Sequence, residues 1–240
     1  QFLKSFPLPV KLFQAVKVKG GETMTNFARA RSSEQKEERM QEIKRAAEIQ
    51  FSRRTYQSIT LSTIAEELSW SRANLYKYVT SKEEIFLELS ADKCSEYLGA
   101  LKAAFPSGCG YSAQVGAKVW AGILSAHADY LKYSALLSSI IETNVTVERL
   151  AVFKKQFHEQ VDEFTALLHR NYQMTEDEAY WLFMTVHYHG IGLYSYCNAS
   201  PLVMEALELA GVHLEIPDFR MKMEKFIYIN LKNVSKGDAF

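Results

Sequence analysis

The chain has 240 residues, of which 48% are hydrophobic, 12% aromatic and 23% charged, so it is globular in composition with ample material for a core. Eleven glycines and five prolines exclude collagen-like, low-complexity and disordered chains, and no stretch approaches ~20 uninterrupted apolar residues, so nothing reads as a membrane span. The 28 basic and 28 acidic residues cancel, but the net is +3 over 1–23, +1 over 24–90 and −4 over 91–240, so a zero sum decides nothing about nucleic-acid binding, which depends on where basic groups cluster.

Residues 1–23 differ from the rest. Pro7 and Pro9 break any helix, and Lys4 and Lys11 interrupt the apolar run, so the continuous stretch of about 7–15 apolar residues that a secretory signal needs is missing. Codons for Lys19-Gly20-Gly21-Glu22 can hide a ribosome-binding site. Met24 is therefore expected as the native start, with 1–23 a translated leader; a disordered N-terminal arm is the alternative. Cys94, Cys109 and Cys197, odd in number and far apart, argue against a disulfide scaffold or zinc ribbon and fit a reducing compartment, which points to the cytoplasm.

From Ser32 to Phe105 there is no proline. Met40, Ile43, Ala47 and Gln50/Phe51 recur at helical spacing, with Ser32 or Ser33 able to cap that helix and its end expected near Arg53 to Thr55. A short helix follows, capped by Thr60 or Ser62, with Ile64, Ala65 and Leu68 as its inward stripe. Ser69-Trp70-Ser71 separates it from a second short helix, Arg72 to Tyr78, capped by Ser71 and anchored by Leu75 and Val79. Ser81 and Glu84 form a capping box for a longer helix through Leu101. After the loop at 106–110, one helix is expected over Ala113 to Glu142, with Val119, Ile123, Ala126, Tyr130, Leu137 and Ile141 on one face. Another covers Val147 to Tyr172. Thr175 and Glu178 box the start of a helix to Cys197 that is apolar nearly all round and so needs burial on more than one side. A short helix, Leu202 to Ala210, stops at Gly211, and a last one begins near Pro217. The pattern is all-α.

Two short capped helices with a three-residue turn, framed by longer helices, describe a helix-turn-helix. The outward face of the second offers Arg72, Asn74, Tyr76, Lys77 and Tyr78: Arg forks onto guanine, Asn pairs with adenine, and Tyr and Lys reach phosphates. Structural packing alone also uses this geometry.

Residues 39–89 resemble the N-terminal domain of the TetR family of bacterial transcriptional regulators. The likeness runs through Ile43, Ala46-Ala47 and Phe51, then Ile59-Thr60 and Ile64-Ala65, then Leu75-Tyr76-Lys77-Tyr78-Val79 and Ser81-Lys82-Glu83-Glu84-Ile85-Phe86. The resemblance implies an N-terminal three-helix DNA-binding domain over 24–80 and a larger helical effector-binding and dimerisation domain over 81–240, with 81–105 as linking helix. It also implies a homodimer on a palindromic double-stranded DNA operator, a repressor released by a small-molecule effector, no catalysis and no cofactor. Thr60 and Ser62 would touch phosphate or a flanking base; Arg72, Ala73 and Tyr76 would face base edges; Asn74, Tyr78 and Lys82 would hold the backbone. Ser69 stands where the family usually has Gly, and Val79 where it has Phe. Trp70 in the turn is unusual and is expected to be partly core. Arg29 and Arg31 are candidates for a minor-groove arm, with a solvated tail as the alternative.

The resemblance further implies that the helices at about 176–197 and 218–234 form the dimer bundle, with Gly190 and Gly192 permitting close approach; simple burial inside one subunit is the alternative. Trp120, His127, Tyr130, Tyr133, Phe157, Trp181, His187 and Tyr188 are the candidates to line an effector pocket for an aromatic or lipophilic ligand. His158 and Asp162 stand at i,i+4, but His187 and His189 point to different faces and no Cys joins them, so metal sensing is a weak alternative; redox sensing through a cysteine is another, as is an effectorless DNA-binding or protein-interaction module. No phosphate loop, nucleophile elbow, HExxH or Glu-x-x-His pair argues for an enzyme.

Overall fold

Ten α-helices and no strand make up residues 25–234, the part that the computed structural model describes, with side chains from 34 to 233. The expected leader or arm over 1–23, the start at Met24, the Arg29 and Arg31 side chains and the cap hydroxyls of Ser32 and Ser33 lie outside these described residues. The chain divides into two compact units, Gln1–Met40 and Gln41–Phe240, and the helix-turn-helix and the cavities below all lie in the second.

Helix α1 (Thr25–Arg53) starts ahead of the expected cap at Ser32 because Asn26 to Arg31 carries no Gly or Pro and is rich in good helix formers. Ile43, Ala46, Ala47, Gln50 and Phe51 are its buried side. A single 3₁₀ turn, Tyr56–Ser58, then swings the Tyr56 ring inward. In α2 (Leu61–Glu67) it is Thr60, not Ser62, that caps: Thr63 N–H donates to Thr60 Oγ1 (3.2 Å) and Thr60 N–H to Thr63 Oγ1 (3.1 Å).

Ser69 ends α2 in the left-handed region, at φ 55°, which lets Trp70 N–H reach back to Ala65 O at 2.8 Å. Trp70 is half-buried against Tyr78, their ring centroids 5.8 Å apart. Helix α3 (Arg72–Leu75) is shorter than expected. Beyond Leu75 the bonds shorten to i→i+3, from Lys77 to Asn74 and from Tyr78 to Leu75, so the stretch to Tyr78 continues as a tighter coil. Leu75 and Val79 are buried, as their spacing requires.

Helix α4 (Lys82–Ala104) has Ser81 as cap, accepting from Glu84 N–H, but the reciprocal half of the box does not form. Glu84 is buried, and its carboxylate instead accepts from Thr80 N–H (2.9 Å) and Thr80 Oγ1–H (2.8 Å) and meets Arg149 Nε at 3.2 Å. A buried carboxylate needs several donors, and this arrangement supplies three where Ser81 N–H supplies one.

The single helix expected over Ala113 to Glu142 is three pieces: α5 (Ala113–Ala126), α6 (Ala128–Leu136) and a π-helical turn, Leu137–Ile141. The break is at His127 (φ −110°, ψ 37°) and lets α5 pack on α10 (Phe219–Val234) while α6 packs on α4 and α8 (Glu176–Cys197). The buried stripe of α5 is Ala117, Trp120, Ala121 and Leu124 rather than Val119, Ile123 and Ala126, which stay partly or fully accessible. Helix α7 (Val147–Tyr172) buries Phe153, Val161, Phe164 and Leu168 against α4 and α8. The Thr175/Glu178 box opens α8. That helix is not enclosed within the subunit: Leu182, Phe183 and Val186 point inward, but Trp181 is 61% exposed and Tyr188 and Tyr196 are exposed with it. Gly190 serves packing inside the chain, since a Cβ there would lie 3.2 Å from Leu131, whereas Gly192 faces open space. Helix α9 (Pro201–Leu209) buries nothing, and α10 buries Met223, Ile227 and Leu231.

Ser69→Val should destabilise the protein by about 1–2 kcal/mol, because a β-branched residue is forced into a left-handed backbone. Ser69→Gly should be within about 1 kcal/mol of the parent. Urea unfolding of the two variants measures both.

Candidate functional site

The helix-turn-helix presents a face in which roles divide sharply. Leu75 roots α3 in the core, and Arg72, Ala73, Tyr76 and Lys77 are exposed, Tyr76 at 50%. This puts a guanidinium, a phenol and an ammonium on one short stretch with no side-chain partner among the described residues, and these are groups that hydrogen-bond base edges and phosphates. Asn74 and Tyr78 are half-buried. Thr60 is exposed and Ser62 half-buried at the start of α2, beside the same turn.

Lys82 stands apart from this group. Its Nζ donates to Tyr56 O and Ile59 O, both at 2.9 Å, and lies 4.1 Å from the Tyr56 ring centroid. Burial lowers the ammonium below its ordinary range, with Glu83 opposing. Two of its three donors therefore fasten the loop before α2 to the start of α4, which leaves one for a backbone phosphate. Tyr56 Oη–H in turn donates to Glu83 at 2.8 Å, and burial together with that bond raises its pKa.

A cavity of about 300 Å³ lies between α4, α6, the π turn, α7 and α8. Four of the eight pocket residues expected from sequence line it: Tyr130, Phe157, His187 and Tyr188. The other four lie elsewhere. Trp120 is wholly buried in the core with Phe105, Phe164 and Phe183, its indole N–H donating to Tyr97 Oη at 2.7 Å. Tyr133 belongs to a ring cluster with Phe51 and Phe86, His127 forms the α5–α6 break, and Trp181 faces outward. Sequence reasoning missed Ser90, Cys94, Tyr180 and the Lys154–Glu142 pair (2.6 Å) at this cavity, which come from α4, α7, α8 and the end of the π turn and carry no local signal of their convergence.

Tyr130 Oη and His187 Nδ1 share a hydrogen bond of 2.8 Å, and the His187 ring stacks on Phe183. Burial, helped by the Lys154 charge, lowers the imidazole from 6.5 to about 4, so it is neutral at pH 7 and offers Nε2 to a ligand. Burial pushes the Cys94 thiol up to about 12, away from the thiolate a redox sensor needs. Among the described residues no group of three His, Cys, Asp or Glu side chains is placed to hold a metal ion, and no helix is long and apolar enough to cross a membrane.

Two family models match this arrangement. Residues 43–89 match that of bacterial regulatory proteins of the tetR family, and residues 91–232 match that of the Tetracyclin repressor-like C-terminal domain. A bacterial regulatory protein of the tetR family from Rhodococcus RHA1 superimposes with a TM-score of 0.55 at 18% identity, over 81% of this chain and 96% of that one, a likeness of fold. A structure from Mesorhizobium loti MAFF303099, described as that of a TetR-family transcriptional regulator, gives a TM-score of 0.49 at 16% identity over 83% and 96%, and adds nothing to the fold assignment. No curated protein matches the chain significantly.

Because His187 titrates lower folded than unfolded, the stability its neutral form contributes is complete above pH 6.5 and is lost as pH falls toward about 4. His187→Gln should lose less stability than the parent over that window. Urea midpoints of both proteins between neutral pH and about pH 4.5 should therefore converge as the solution is acidified.

Proposed function

The chain belongs to the TetR family of bacterial transcriptional regulators and is a DNA-binding regulator, and from that premise we propose that it is a repressor. In this reading it binds a palindromic operator as a homodimer, is released by a small-molecule effector, and is not an enzyme. Residues 24–80 act as the DNA-binding domain and 81–240 as the effector and dimerisation domain. The observation that carries the reading is the exposed Arg72, Tyr76 and Lys77 on a helix whose opposite side is rooted by Leu75. Arg72, Ala73 and Tyr76 address base edges, while Thr60, Ser62, Asn74, Lys77, Tyr78 and the remaining Lys82 donor hold phosphates.

Dimerisation is supported by the outer sides of α8 and α10, which pack together and leave Trp181, Tyr188, Met221 and Ile229 exposed. A stable interface of this kind supplies an apolar core of such residues. The two recognition helices must then stand about 34–36 Å apart, one DNA turn, or a multiple of it. The effector role of the cavity is supported by its size, its aromatic walls and the neutral His187, which suit an aromatic or lipophilic ligand with a hydrogen-bonding group. Coupling follows from α4, which contributes Ser90 and Cys94 to the cavity and Lys82 and Glu84 to the helix-turn-helix. A ligand that prefers one tilt of α4 biases the spacing of the recognition helices.

Fluorescence anisotropy with DNA from the promoter region of its own gene tests the DNA face. Tyr76→Ala should weaken specific binding by about 1–3 kcal/mol. Lys77→Ala should reduce the salt slope by about 1 per subunit. Lys82→Ala is the wrong probe, since it also unfastens Tyr56 and Ile59. Unchanged affinity and slope in both variants would refute the assigned face. Separately, Trp181→Glu should convert the dimer to a folded monomer in analytical ultracentrifugation, with helicity unchanged by circular dichroism.

A further inference from the structure

A second cavity, larger at about 470 Å³, runs from the end of α1 past α6 to the end of α8 and beneath α9. Its walls are mostly aliphatic and aromatic, with Val203, Met204, Leu207, Leu214 and Ile216 on the α9 side. Helix α9 itself is poorly satisfied: Leu202 is 74% and Leu209 84% exposed. Among the lining residues the one charged side chain is Lys132.

Lys132 is unusually placed for a lysine. Its Nζ lies 3.3 Å from Phe51 O and 3.8 Å from the Phe51 ring centroid, and among the described residues no carboxylate stands within ion-pair distance. Burial lowers its pKa, and Asp129, one turn back on α6, opposes this only at a distance. A half-buried ammonium holding one long hydrogen bond at the head of an apolar groove is left with donors to spend and a desolvation cost to offset. The chemistry that satisfies both parts is an anionic head on an aliphatic tail, and the volume is in the range of small-molecule sites.

We propose that this groove is a second ligand site, distinct from the α4–α8 cavity, that takes an aliphatic monocarboxylate with its carboxylate on Lys132 and its chain between α9 and the end of α8. The head group competes with Phe51 O for the Lys132 ammonium. Phe51 lies in the last turn of α1, where a cation also complements the helix dipole, so occupancy is felt at the edge of the DNA-binding domain.

Isothermal titration of the full chain with octanoate, decanoate and dodecanoate below their micelle concentrations, and with dodecanol below its solubility limit, tests this without reading DNA binding, so its outcome is separate from that of the regulator reading. One dodecanoate should bind per subunit, with affinity rising about fourfold per added methylene. Dodecanol should bind at least about tenfold more weakly, for want of the charge-assisted bond. Lys132→Met, which keeps the apolar stem, should weaken dodecanoate about tenfold and leave dodecanol unchanged. Leu207→Glu, on the exposed helix α9, should abolish both, and Phe157→Ala in the other cavity should alter neither. Thermal melts establish that each variant is folded. Absence of saturable binding, equal affinity for acid and alcohol, an indifferent Lys132→Met or Leu207→Glu, or loss of binding in Phe157→Ala would each overturn the proposal.

Discussion

The first turn of α4 is the joint on which the molecule depends. Phe86 is fully buried there, edge-on to Phe51 at 5.3 Å and Tyr56 at 4.9 Å and tilted against Tyr133 at 6.0 Å. Those rings come from α1, the 3₁₀ turn and α6, so a single side chain ties the helix before the helix-turn-helix to the helices that follow it. One turn of polar chemistry surrounds it. Glu84 holds Thr80 and Arg149, and Lys82 holds the carbonyls of Tyr56 and Ile59. Removing one member of such a buried set strands its partners, which costs more than the bond itself is worth.

Cations near the junction are engaged elsewhere: Lys44 with Asp92 at 2.7 Å, Lys93 with Glu48 at 2.9 Å, Lys82 with two carbonyls. Arg72 and Lys77, by contrast, are exposed. The same helix α4 continues into the cavity through Ser90 and Cys94, so the element that follows the helix-turn-helix is also a wall of the cavity. The π turn at Leu137–Ile141 lies against α4 as well, and Leu137 lines the cavity. Such turns are frequent at functional sites.

Much of the helix-turn-helix was legible from residues alone. Thr60, Ser71, Ser81 and Thr175 cap their helices because a hydroxyl one position ahead of a helix satisfies an otherwise orphaned N–H, a local interaction that spacing reveals. Leu75 and Val79 point inward because four residues is one helical turn. The pocket was half legible. Tyr130, Phe157, His187 and Tyr188 converge, yet Trp120, equally aromatic, is spent on the core with Tyr97, and Trp181 on the outer side of α8. An aromatic at helical spacing reads the same in a core, a cavity wall or an open face, because the pattern records hydrophobicity and not what stands opposite.

Sequence by itself determined the all-α class, most of the helix caps, the helix-turn-helix and the family. All of these rest on interactions within a few residues or on a local motif, including a Ser at 69 that accepts the left-handed turn. Tertiary structure decided the rest. It broke the 113–142 run at His127, sent Glu84 to Thr80 and Arg149 instead of to its own cap, drew Lys82 into the loop before α2, and left Lys132 at the mouth of an apolar groove. Each outcome turns on which distant helix comes to lie opposite a given side chain and on the need of a buried charge to find donors or acceptors there, and neither is written in the local period of the chain.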